Sequence, residues 1–231
     1  VTRVEPPEGD KWPTKFRFMG YEVRPELPIY IAALSPNMLR LAGEIGDGVQ
    51  FVAADVTDAA AMQAAVDAAA ALAPLRAVVH CAGRGHSMRV LDREGNAGSL
   101  EHFEGVIRTN LIGSFNVLRL AAATMARNEL LDCDRGVVIM TASVAAYEGQ
   151  IGQIPYASSK AGIVGMTLPI AREFTRIGVR VMTVAPGIFH TPMVDGMPEQ
   201  VQESLAASIP FPSRLGRPEE FAGLVAHVVE N

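Results

Sequence analysis

The chain has 231 residues, 49% hydrophobic and 19% charged, enough for one substantial globular domain and too apolar for a disordered one. A net charge of −5 argues against nucleic acid as a partner, and the 17 Arg and 3 Lys read as codon bias rather than a basic patch. No apolar run reaches the ~20 residues that cross a bilayer, and the Pro-rich, charged N-terminus is not expected to act as a signal peptide. Two cysteines, Cys81 and Cys133, form no disulfide framework and no metal-ligand spacing, so we expect two small hydrophobes in a reducing, cytoplasmic setting.

Residues 1–27 hold Pro6, Pro7, Pro13, Pro25 and the only Trp, and are expected to form an extended arm. "PIYIAAL" from Pro28 reads as a buried strand. Ser35 and Pro36 supply an N-cap and a proline at the first helical position for "NMLRLAGEI". "VQFVAAD" (49–55) reads as a second strand, and an Ala-rich helix follows, capped by Asp58. "LRAVVHCAG" (75–83) is a third strand and 84–98 a polar loop. One long helix is expected over 99–128, then the strand "GVVIMTAS" (136–143), a helix over 156–177 and the strand "VRVMTVAPG" (179–187). Helices at 198–207 and 218–230 close the chain. Strands alternating with helices predict an α/β fold, a doubly wound parallel sheet of Rossmann type. Right-handed crossovers give the strand order 2-1-3-4-5, and ligands in such sheets sit at the carboxyl ends of the strands. Residues 28–231 are expected to make a single domain.

Chemistry gathers at the ends of the later strands. Tyr156 and Lys160 are four apart at the start of a helix and share one face. An ammonium beside a phenol favours the phenolate, which makes Tyr156 a candidate acid/base. Ser143, at the end of the preceding strand, is placed to hold a carbonyl oxygen beside it. The chain has four Tyr, and Lys160 is its only Lys after residue 15, so a chance pairing is a weak alternative.

"TASVAAYEGQIGQIPYASSKAGIVGMT" resembles the catalytic segment of the short-chain dehydrogenase/reductases: a strand-end Ser, a Tyr thirteen residues on, and Tyr-x-x-x-Lys. "RTNLIGSFNV" is similar to that family's helix with a proton-relay Asn. "HCAG" resembles its Asn-Asn-Ala-Gly, and "APGIFHTPM" its Pro-Gly loop. The resemblance spans about 49–231, and "GQIGQIPYASSKAGIVGMTLPIARE" and "IPFPSRLGRPEEFAGLV" look most similar to the type-2 3-hydroxyacyl-CoA dehydrogenases. It implies oxidation of a secondary alcohol, a short 3-hydroxyacyl-CoA, with NAD or NADP. It also implies a homo-oligomer assembled through its long helices. Tyr156 would be the acid/base, with Lys160 supporting it and bonding the nicotinamide ribose. Ser143 would fix the substrate oxygen, and Asn110 would hold a relay water. Asp55 and Val56 would contact adenine, and Ala82 and Gly83 would admit the cofactor close to the backbone. Pro186, Gly187, Ile188 and Thr191 would hold the carboxamide. For Asn110, Asp55, Gly83 and Gly187, ordinary helix, strand-end or turn roles stay open.

The chain also departs from that family. His80 stands where the family has Asn, and Thr-Gly-x-x-x-Gly-x-Gly is absent. Gly43, Gly46 and Gly48 follow a helix rather than opening one, so they read as a helix end. The glycine-rich unit and the closing strand are expected to be missing. Residues 16–50 instead resemble a βα unit of luciferase-like, deazaflavin-dependent oxidoreductases, which suggests a join near Gln50. Two further expectations follow: a catalytically silent fragment or chimeric scaffold, and a flavin- or deazaflavin-dependent oxidoreductase.

Overall fold

The computed structural model describes residues 52–231, apart from His86, Pro192, Met193 and Asp195. The expected arm, the strand from Pro28, the helix from Pro36 and the join at Gln50 lie outside the described residues.

Three parallel strands form the described sheet: β1 (Ala77–His80), β2 (Gly136–Thr141) and β3 (Val179–Val184), in that spatial order. Ala77 pairs with Val137 and Gly136 with Val179, so the last three expected strands lie side by side as the crossover argument requires. β2 lies between the other two, and five of its six residues are buried, which is why it reads as an unbroken apolar run. The expected strand over 49–55 is not found in its described part: 52–55 are not strand, and no described segment offers them a ladder. β1 is also shorter than 75–83, because Cys81–Gly83 leave the ladder to turn across the strand ends.

Helix α1 (Ala59–Leu72) is capped by Asp58, whose carboxylate accepts from the N–H groups of Ala60 and Ala61 at 2.8 and 3.1 Å. The expected single helix over 99–128 is three pieces: α2 (Leu100–Ile107), a π-helical turn (Arg108–Ile112) and α3 (Gly113–Met125). In that turn Gly113 N–H bonds to Arg108 O, five residues back, and the wider turn carries the fully buried Asn110. α4 (Ile154–Phe174) starts two residues before the expected position, with Pro155 in its first turn. Two short helices, α5 (Glu199–Ala207) and α6 (Pro218–Glu230), complete the described fold.

One face of the sheet carries the main core. Val138 and Met140 of β2 and Val179 and Val181 of β3 pack with Leu118 and Met125 of α3 and Ile163 of α4. On β3 the side chain between Val179 and Val181 points to the other face. There Arg180 donates to the carbonyl of Val228 at 2.7 Å, bringing α6 onto that face. Helices on both faces bear out the doubly wound reading. Cys81 and Cys133 form no disulfide and are exposed, both lying outside the helices and strands.

Candidate functional site

The site is built where β2 ends and α4 begins. Ala142 N–H bonds to Val184 O at 2.8 Å and Val144 N–H to Pro186 O at 2.9 Å, so the segments after β2 and β3 run together past the end of the sheet. This brings Pro186 and Gly187 alongside Ser143, as a parallel sheet does with consecutive strand ends. Ser143 is buried and caps a short 3-10 turn (Val144–Ala146), its hydroxyl accepting from Ala145 N–H at 3.2 Å. That bond uses the oxygen and leaves the hydroxyl proton to donate.

Lys160 is 4% exposed, rare for a lysine. Its Nζ donates to the backbone carbonyl of Thr141 at 2.7 Å and lies 5.6 Å from the centroid of the Tyr156 ring. The spacing of four on α4 puts both side chains on one face, as the sequence predicts. Burial pushes the Lys160 ammonium down to about 8, with Cys81 opposing that shift. An ammonium has three donors and Thr141 takes one, so two remain for a ligand. The Tyr156 hydroxyl makes no hydrogen bond among the described residues.

Asn110 ties the site to the end of β1. Its amide nitrogen donates to Arg84 O at 2.9 Å and to Ser159 Oγ at 3.0 Å, and its oxygen accepts from Arg84 N–H at 2.9 Å. Ser159 in turn donates to Tyr156 O at 2.7 Å. The side chain of Asn110 is therefore a clamp between the segment after Gly83 and the helix of Tyr156. Gly83 lies at the centre: a Cβ there would stand 3.4 Å from Asn110 Oδ1 and 3.5 Å from Lys160 Nζ. Only a glycine keeps that space beside the ammonium clear. The bare backbone of Ala82–Gly83 beside a buried cation with two unused donors fits the ribose and nicotinamide end of a dinucleotide.

The other expected residues are held differently. Asp55 is exposed and accepts from Thr57 N–H at 2.8 Å, which holds its carboxyl below the usual carboxylate range. Val56 is tied to α3 through Asn116 Nδ2, which donates to its carbonyl at 2.9 Å. Ile188 O accepts from Gly216 N–H at 2.9 Å, and Thr191 O accepts from Val194 N–H at 2.8 Å. Thus hydrogen bonds join Asn110 through Ser159 to the backbone of Tyr156, Gly83 and Lys160 lie beside them, and Ser143, Pro186 and Gly187 reach Lys160 through the end of β2. Asp55, Val56 and Thr191 make no bond to that cluster among the described residues.

Two participants escaped the sequence reading. The Thr141 carbonyl is backbone, and no residue type announces it. Ser159 had a signal: it sits four residues before buried Ile163, a polar group in an apolar stripe that calls for a buried partner. The loop ahead of the site is also tied down. Met88 N–H bonds to Gly152 O at 2.7 Å, and Gly152 takes a left-handed φ of 88° with Ser87 against it. Among the described residues, no helix is long and apolar enough to cross a membrane, and no group of His, Cys, Asp and Glu could hold a metal.

Comparison with known proteins agrees with this geometry. A sequence model described as short chain dehydrogenase matches residues 29–202, so the match begins ahead of the join expected at Gln50. The 3-hydroxyacyl-CoA dehydrogenase type-2 of Drosophila melanogaster is 49% identical over 197 residues, covering 83% of this chain and 76% of that protein. Its counterpart of Homo sapiens is 47% identical over 193 residues, covering 82% and 74%. The crystal structure of 3-hydroxyacyl-CoA dehydrogenase type-2 from Mycobacterium avium superposes with a TM-score of 0.81 at 40% identity, covering 89% of this chain and 81% of that one. On the strength of the family match and these relatives, the chain belongs to the short-chain dehydrogenase family.

Proposed function

We propose that this chain oxidises the 3-hydroxyl of a short 3-hydroxyacyl-CoA, with NAD or NADP as acceptor. The observation that carries the reading is the buried Lys160, bonded to Thr141 O and set beside both the Tyr156 ring and Gly83. Ser143 donates its free hydroxyl proton to the substrate oxygen. Tyr156 takes the substrate's hydroxyl proton as general base. Lys160 stabilises the phenolate that accepts this proton and bonds a ribose hydroxyl with a spare donor. Asn110 keeps the Gly83–Arg84 segment fixed while this happens. When bound, NAD supplies the hydride acceptor. The residues that would hold it are Ala82, Gly83 and Lys160 at the ribose, Pro186, Gly187, Ile188 and Thr191 at the carboxamide, and Asp55 and Val56 at the adenine.

Two features qualify the activity. The sequence Ala33-Leu34-Ser35-Pro36-Asn37 offers no glycine for a pyrophosphate, and Pro36 has no N–H. Losing two or three charge-assisted bonds of ~1.5–3 kcal/mol each weakens binding by roughly two to six powers of ten, so NAD is expected to bind no tighter than the millimolar range. The protein is also proposed to act as a homo-oligomer, because Ile112 and Phe115 near the start of α3 and Leu168 of α4 are exposed. The join proposed at Gln50 rests on the sequence of residues 16–50 alone.

NADH formation from 3-hydroxybutyryl-CoA tests the function, and calorimetric titration with NAD tests the affinity. Turnover that saturates only at millimolar NAD is the expected result. A low micromolar dissociation constant would remove the impairment. No turnover at any NAD concentration would leave the silent-scaffold reading.

A further inference from the structure

His80 ends β1 in register with Met140. Laterally paired residues of a parallel sheet send their side chains to the same face, and Met140 belongs to the core under α3 and α4. The imidazole therefore points into the layer that holds Lys160, and it is only 6% exposed. Its Nε2 is fully enclosed and has no hydrogen-bond partner among the described residues. A buried, unpaired polar nitrogen is costly unless something satisfies it. The charge of Lys160 is felt at the ring, and together with burial it keeps His80 neutral down to about 4. A neutral imidazole has one ring nitrogen with a lone pair. Beside a cation with two unused donors, the tautomer with the lone pair on Nε2 is the favoured one.

We propose that His80 is a positioning residue for Lys160: a buried water accepts a hydrogen bond from Lys160 Nζ and donates one to His80 Nε2. The proposal rests on the reading of Lys160 as the group that serves Tyr156. The bridge gives the ammonium a second fixed contact besides Thr141 O, and so fixes where its third donor points. It also gives His80 a role in place of the Asn that the family resemblance puts there. The titratable groups at this spot are Lys160 from α4, His80 itself and Cys81 just after it. β2 presents Met140 and Thr141, and the π-helical turn presents Asn110, all uncharged.

The chain holds three lysines, Lys11, Lys15 and Lys160, so lysine labelled with 13C at Cε gives three signals to follow against pH in this chain without cofactor. Lys160→Arg identifies the Lys160 signal by deleting it. In the unmodified protein that signal is expected to titrate near 8. His80→Leu removes the acceptor and is expected to lower the midpoint by about one unit, a tenfold change in the protonation equilibrium. His80→Asn keeps an acceptor and is expected to hold the midpoint within a few tenths of a unit. Identical midpoints in all three proteins would overturn the proposal, and so would an Asn variant that behaves like Leu. The 15N shifts of His80 in the unmodified protein give an independent check that no folding defect can obscure: the Nδ1–H tautomer is expected, and Nε2–H would overturn the bridge. Failure of the dehydrogenase reading looks different. No NADH would form, while the Lys160 midpoint would still follow residue 80.

Discussion

The segment after β2 and the segment ahead of α1 both carry residues expected to touch the cofactor, yet they are held in opposite ways. Around the end of β2, side chains are fixed by buried and part-buried bonds between elements: Lys160 to Thr141 O, Asn110 to Arg84 and Ser159, with Ser159 also bonded to Tyr156 O. Ahead of α1, Asp55 and Asp58 are held by short local bonds within the turn, with their carboxylates in water. Chemistry needs reacting groups placed to within fractions of an ångström, and buried bonds deliver that. Recognition of an adenine tolerates looser support. The contrast predicts that substitutions near β2 cost far more than substitutions near α1.

Tyr156→Phe is the sharpest test and carries the largest expected effect. The hydroxyl makes no hydrogen bond among the described residues, so the fold should survive its loss. Turnover should fall by about two to four powers of ten, the usual worth of a general acid/base. Steady-state NADH formation alongside circular dichroism of both proteins checks it. Equal rates would remove Tyr156 from its role.

Asn110→Ala should damage stability as well as activity. It deletes three hydrogen bonds and leaves Ser159 Oγ without one of its partners in a buried layer. A loss of about 2–4 kcal/mol is expected, read from the urea midpoint. A variant as stable as the parent would mean the clamp is redundant.

His80 gives the same half of the molecule a pH signature. Its folded-state value of about 4 lies below the ordinary 6.5, because burial and then Lys160 disfavour the imidazolium. The unfolded chain therefore takes up a proton that the folded one refuses. Stability is complete above 6.5, falls as pH drops from there to about 4, and levels off below. The loss amounts to about 3 kcal/mol. Urea unfolding at several pH values should show this slope in the parent, and His80→Asn should flatten it. An unchanged slope in the variant would place the titration elsewhere.

Asp55→Asn should have the smallest effect. The carboxylate is exposed and bonds only its own turn, so stability should move by less than about 0.5 kcal/mol. The KM for NAD should rise roughly threefold, under 1 kcal/mol, while kcat stays put. A hundredfold rise would show that the segment ahead of α1 matters as much as the end of β2 and would erase the contrast.

Much of this was legible beforehand. The runs "AVVH", "GVVIMT" and "VRVMTV" announced the three strands as short, Val-rich apolar stretches, of which the central one is buried over most of its length. Tyr156 and Lys160 announced themselves by helical spacing. The break in the helix over 99–128 was not legible. Nothing in "IRTNLIG" marks a π-helical turn, since the extra residue per turn is favoured only once Asn110 can reach Arg84 and Ser159. Residues 52–55, the described part of the strand expected over 49–55, are not strand: an apolar run proposes a strand, but only a neighbouring ladder makes one.

By itself the amino-acid sequence determined the fold class and the residue types of the chemistry, because burial periodicity and the spacing of side chains on one helix are local properties. It also determined which side chains could act as acid, base or donor. The tertiary structure alone decided that Lys160 is buried against the Thr141 carbonyl, that Gly83 leaves room beside it, and that His80 points into the same layer without a partner. Those facts join residues 80, 83, 110, 141 and 160, from β1, β2, α4 and the turns between. Nothing in the sequence measures a distance across a sheet, and it is that distance that sets burial, hydrogen bonding and charge at the site.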